Sequence, residues 1–201
     1  MYNKEILQKA KELVELLEKQ EETGKVVLSN LKPGDVFQTT GKRKYKVLEQ
    51  YENTVKIISL NIVGENAEFG NSTDYNTSNV KKLCDTEILK DFEKEFGAEN
   101  IEEHTAEIIT ADGQKIGSVK CKIRPITFDE AREYTDITPN KELNDWYWTL
   151  SPWSTEERGW GRSLAVVSPS GLIDGCNCNY VCGVRPACIL KSNIFVSKVE
   201  E

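Results

Sequence analysis

The stretch Asp145-Trp146-Tyr147-Trp148-Thr149-Leu150-Ser151-Pro152-Trp153-Ser154-Thr155-Glu156-Glu157-Arg158-Gly159-Trp160-Gly161-Arg162 decides how the chain is read, because it gathers all four tryptophans. It opens with an aromatic run suited to a strand and closes in a polar, glycine-bearing loop. Immediately after it, Ser163-Leu164-Ala165-Val166-Val167 and Leu172-Ile173-Asp174 flank Ser168-Pro169-Ser170-Gly171, which predicts a hairpin. The chain then runs through Gly175-Cys176-Asn177-Cys178-Asn179-Tyr180-Val181-Cys182 to Gly183-Val184-Arg185-Pro186-Ala187-Cys188-Ile189-Leu190. Extended alternation there predicts Cys176, Cys178 and Tyr180 on one side and Asn177, Asn179 and Val181 on the other.

Upstream, Thr127 to Tyr134 reads as a short helix with Thr127 as cap and Glu130 at the capping-box position. Ser78 suits the N-cap of a helix carrying Val80, Leu83 and Cys84, followed by a second helical run with Ile88, Leu89, Phe92 and Phe96 that stops at Gly97. Between Val26 and Ile62 the pattern turns to strands separated by Leu31-Lys32-Pro33-Gly34-Asp35 and Thr40-Gly41-Lys42, an antiparallel meander. Residues 3–22 read as an amphipathic helix, with Ile6, Ala10, Leu13 and Leu17 on one stripe. Such a stripe either packs on the chain's own body or forms a short coiled coil joining copies, and its pattern leaves both open. The expected division is a helix over 1–24 and an α+β domain over 25–201.

Residues 1–140 hold 20 basic and 26 acidic side chains, whereas 141–201 hold 6 and 7. The weakly charged, tryptophan-bearing end thus has a different task from the rest. A net charge of −7 gives no general attraction for phosphate backbones or anionic lipid, so neither nucleic acid nor membrane is an expected partner. No apolar run reaches the ~20 residues needed to span a bilayer, and no export signal opens the chain, so synthesis in the cytoplasm is expected.

His104 is the single histidine, which leaves no Ser–His–Asp set, and no glycine-rich phosphate loop occurs. No catalytic residue and no cofactor are expected. The spacing of Cys176, Cys178, Cys182 and Cys188 departs from paired Cys-x2-Cys knuckles, so buried thiols are favoured over a disulfide or a metal site.

Tyr147-Trp148-Thr149-Leu150-Ser151-Pro152, the strand–turn–strand of Ala165 to Gly171 and the closing Gly183-Val184-Arg185-Pro186-Ala187 resemble the hallmarks of an uncharacterised domain family of bacteria and their phages. That family is similar to C-type-lectin-fold proteins, including the formylglycine-generating-enzyme-like group and the variable proteins of diversity-generating retroelements. The stretch from Phe69 to Leu83 is similar to the family's approach to its first helix. Where the family commonly carries an arginine two residues after the tryptophan, this chain has Thr149-Leu150, and no role of that arginine carries over.

The resemblance implies a C-type-lectin-like α+β domain: a small antiparallel sheet, two flanking helices and long loops that display a ligand face. It assigns display to Trp153, Ser154, Glu156, Arg158, Trp160, Arg162, Asn177, Asn179 and Tyr180, whereas Trp148, Arg185 and Pro186 read from the residues themselves as structural. Aromatic and arginine side chains dominate binding hot spots, and Asn and Ser adapt their hydrogen bonds, which agrees with that assignment. The implied function is recognition of a protein or glycan on a cell surface, by a phage particle or a bacterial surface system. A structural part of a phage particle is the alternative, and a formylglycine-generating-like enzyme a lesser one. Arg185 is expected to bury its stem and to pair its guanidinium with a carboxylate or with backbone carbonyls.

Overall fold

The computed structural model describes residues 6–12, 14, 24–39, 41 and 43–199. Residues 6–12 and 14 are helical (α1), and all of them are exposed. Leu13 and Leu17 lie outside the described residues.

The rest is α+β; its strands pair antiparallel, and one isolated parallel bridge joins Tyr147 to Gly183. β1 (Lys25–Val27), β2 (Val36–Gln38), β3 (Lys44–Gln50), β4 (Thr54–Ser59) and β5 (Ala67–Glu68) precede the first helical layer. That layer consists of α2 (Asn79–Leu83), a π-helical turn Cys84–Ile88, and α3 (Leu89–Phe96). β6 (Ile101–Glu102), β7 (His104–Ile109), β8 (Lys115–Cys121) and β9 (Ile123–Pro125) follow, then α4 (Phe128–Glu133). β10 (Tyr147–Pro152), β11 (Ser163–Val167), β12 (Ile173–Asn177), β13 (Val181–Cys182), β14 (Pro186–Lys191) and β15 (Phe195–Val199) complete the order.

The main sheet is larger than expected. Eight strands join in the order β1-β15-β2-β3-β4-β14-β6, with β9 also on β14. The meander β2-β3-β4 lies at its middle as the turn signals predict, but β14, β15 and β1 extend it through pairings between distant parts of the chain. β10-β11-β12 form a second sheet, and β7–β8 and β5–β13 are two-stranded ribbons.

The two helical runs expected over 78–97 are one continuous rod. Its buried positions, Val80, Cys84, Ile88, Phe92 and Phe96, recur at every fourth residue. Strict spacing of four overshoots the 3.6-residue turn and would drift off the sheet. The wider π turn at Cys84–Ile88 takes up that drift, so all five stay on one line. Ser78 caps the rod through Lys81 N at 3.0 Å, and Gly97 ends it with φ of 85°.

Phe92 and Phe96 pack on Tyr45, with ring centroids 5.5 and 4.9 Å apart, and Phe37 stacks behind it. The opposite side carries a smaller core of Leu48, Ile58, Ile126, Tyr134, Tyr147 and Val167. The main sheet is therefore covered on both faces, and Val47-Leu48 and Ile57-Ile58 each bury two successive side chains. A bulge between Val47 and Glu49 accommodates the extra buried residue.

Candidate functional site

β10 sets the site's foundation, with all six of its residues buried. Trp148 is fully buried, donates from its indole Nε1 to the Ala67 carbonyl at 2.8 Å, and meets Phe69 edge-on at 5.6 Å. It thus ties β10 to β5 and to the loop after Phe69. Pro186 is buried opposite Pro125, where its missing N–H starts β14 without loss of a bond.

Arg185 is fully buried, and of the two kinds of acceptor expected for it the structure gives backbone carbonyls. Its Nε donates to Ser59 O at 2.8 Å, and its Nη1 to Thr138 O at 2.5 Å and to the Tyr147 hydroxyl at 3.2 Å. No carboxylate pairs with it among the described residues, and the Tyr147 ring lies 5.1 Å beneath the guanidinium. Nη2 has no partner among the described residues, and burial pushes the group below its ordinary range.

The loop 153–162 divides into an anchored and a displayed part. The Trp153 ring meets Phe128 edge-on at 6.4 Å and lies so close over Gly175 that a Cβ there would come within 3.2 Å of it. Ser154 is buried and donates to Asp112 at 2.7 Å, and Arg158 pairs with the same Asp112 oxygen at 2.7 Å. Asp112 sits at the tip of the β7–β8 hairpin, whose Ala111 N–H also bonds to Pro152 O at 2.9 Å. Hydrogen bonds from Thr110, Ser154 and Arg158 hold its carboxyl well below the usual range. Ser154 and Arg158 therefore brace the loop on the hairpin and Trp153 anchors it on Phe128 and Gly175, while the Arg158 side chain stays 55% exposed.

From Glu156 to Trp160 the loop is exposed. Gly161 approaches Glu156 so closely that a Cβ would lie 2.7 Å from the Glu156 Cβ and 2.9 Å from its Cα. Only glycine fits that crossing. Glu156 is exposed, yet its stem is the wall of this turn. Trp160 emerges 56% exposed, and Arg162 is exposed beside it.

β12 ends at Asn177, one residue before the expected alternation would continue. Residues 177–180 form a turn closed by Tyr180 N–H to Asn177 O at 3.0 Å. Cys178 therefore faces the core at 0% exposure while Tyr180 faces out at 64%, and the expectation that they share a side is overturned by the turn. Asn177 is half-buried, whereas Asn179 and Val181 are exposed.

Backbone bonds draw three loops together. Cys178 N–H donates to Arg162 O at 2.8 Å, and Gly70 N–H donates to Cys178 O at 3.1 Å. Thr73 Oγ1 donates to Gly161 O at 3.4 Å. Val181 lies opposite Glu68 in the β5–β13 ribbon. The resulting surface carries Trp160, Arg162, Asn179, Tyr180 and Val181, with exposed Asn71 and Ser72 alongside. Of these, Trp160, Arg162, Asn179 and Tyr180 are legible from sequence. Val181 is missed because its exposure follows from the turn, and Asp112 because its role depends on a distant contact.

Cys178, Cys182 and Cys188 are buried thiols and Cys176 is half-buried. No group of three or more metal-ligating side chains is found among the described residues. Comparisons with protein-family models, curated proteins and solved structures find no match.

Proposed function

We propose that the chain is a recognition module of C-type-lectin-like architecture, binding a protein or glycan on a cell surface as part of a phage particle or bacterial surface system. One observation carries this reading: three loops joined by backbone bonds leave Trp160 and Tyr180 more than half exposed. Exposed aromatic rings, with few rotatable bonds and a polar rim, suit a binding surface better than solvent contact alone. Arg162 adds a charged fork for carboxylate or hydroxyl groups.

Binding of the intact protein to whole cells, compared with Trp160→Ala and Tyr180→Ala, tests this. Each truncation should weaken binding at least about thirtyfold, the effect of a hot spot worth ~2 kcal/mol, while thermal stability stays within that of an exposed site. Binding that survives both changes would sink the assignment of this face.

Self-association through α1 belongs to the same reading and is favoured by the exposure of Ile6, Leu7 and Val14, at 59%, 59% and 51%. Sedimentation of the full chain should show a species larger than a monomer, reduced to a monomer when the chain starts at Gly24. Oligomers with no cell binding would favour an assembly role in a particle.

A further inference from the structure

The β7–β8 hairpin, whose tip props the loop 153–162, is held at its base by a buried ionic chain. His104 lies opposite Cys121 in the hairpin register. Its Nε2 accepts from Arg124 Nε at 3.1 Å, and Cys121 Sγ is 3.9 Å from the same nitrogen. Arg124, 5% exposed, grips Glu130 with both Nη groups at 2.6 and 2.7 Å. Glu130 also pairs with Lys56 at 3.1 Å, and Lys56 reaches Glu49 at 3.3 Å.

A guanidinium only donates, so Nε2 must keep its lone pair and the ring proton sits on Nδ1, 3.4 Å from the Glu102 carbonyl. Arg124 on β9, Lys56 on β4 and Glu130 on α4 act on the ring, and Glu49 on β3 pairs with Lys56 at the far end of the chain of charges. Cys121 on β8 is pushed up by burial and stays a neutral thiol. This set balances only with a neutral imidazole. A proton on Nε2 would face the Arg124 N–H and leave a surplus buried positive charge. Burial first, and Arg124 next, lower the affinity of His104 for a proton.

We propose that His104 is an acid sensor: its protonation breaks the bond from Arg124 and loosens the β7–β8 hairpin, withdrawing Asp112 from beneath the recognition loop. The sensor itself stands on the buried chain of charges; its consequence for binding rests on the recognition reading. Neutral His104 is kept in the closed hairpin, and a released ring titrates near the ordinary ~6.5. Closed hairpin is therefore most favoured above that pH, and each unit below it raises the open fraction up to about tenfold.

The test uses the full chain between pH 7.5 and 5. As the only histidine, His104 supplies a single imidazole C2–H resonance, whose midpoint should fall below ~6.5. Hydrogen exchange of residues 104–121, taken relative to β3–β4 in the same sample to cancel intrinsic rates, should accelerate as the pH falls. His104→Gln keeps an acceptor without titrating and should flatten that response. An imidazole that titrates at or above ~6.5, or hairpin protection that tracks β3–β4, would overturn the sensor. An equal acid response in His104→Gln would do the same, and if that variant does not fold the two measurements on the unaltered chain decide. Neither readout uses a ligand, so their failure leaves the recognition face to the cell-binding test.

Discussion

Replacing Arg185 with alanine removes three donated hydrogen bonds at once and leaves the Ser59 and Thr138 carbonyls and the Tyr147 hydroxyl without their donor. An orphaned buried acceptor costs about 1–3 kcal/mol, and the emptied space of the arginine stem adds a packing loss. Against this, the substitution relieves a buried cation that has no carboxylate partner among the described residues, a relief of several kcal/mol. The lost bonds outweigh the relief because the guanidinium also gains from the Tyr147 ring 5.1 Å away. A net loss of about 3 kcal/mol follows, which lowers the melting temperature by roughly 6–12 °C in a chain of this size. Thermal and denaturant unfolding of Arg185→Ala and Arg185→Met separate the contributions, since methionine keeps most of the stem volume and none of the donors. Methionine should recover only the packing part. If Arg185→Met were more stable than the unaltered chain, the cost of the unpaired cation would dominate, and the reasoning would be refuted.

Glu130→Ala should lose more than Glu130→Gln, because alanine removes the capping box and leaves Arg124 buried without its acid; ~3–5 kcal/mol is expected by denaturant unfolding. Acid titration of stability should show two separate ranges. The His104 contribution is full above ~6.5 and declines as the pH falls below it, while that of Glu130, held low by Arg124 and Lys56 against the opposing effect of burial, is full above ~4.3 and declines below it. Glu130→Gln should remove the lower range, and a profile unchanged by it would show the carboxylate to be unperturbed. Gly161→Ala forces a Cβ against the Glu156 backbone and should displace the 156–162 turn, read as faster hydrogen exchange there with the main sheet unaffected. Asp112→Ala should free Arg158 and Ser154 and raise exchange over 153–162; protection equal to the unaltered chain would remove the hairpin from its bracing role.

The parts of the fold legible in the sequence are those whose cause is local. The Ser78 cap, the Thr127–Glu130 capping box, the Gly97 stop and the hairpin around Ser168–Gly171 each depend on residues within one turn of one another, so their pattern survives without the rest of the chain. The buried Trp148 and the exposed Trp160 are also foreshadowed, one by an apolar strand and the other by a polar, glycine-rich loop. Tertiary structure alone decided the extent of the main sheet, because β14 on β4 and β1 on β15 join segments with no shared local signature. It brought Trp153 onto Phe128, and Ser154 and Arg158 onto Asp112, residues that are distant in sequence and adjacent only in the folded chain. It also decided between carbonyls and a carboxylate for Arg185, since a buried guanidinium takes whichever acceptors the surrounding backbone brings within reach, and composition carries no record of that geometry.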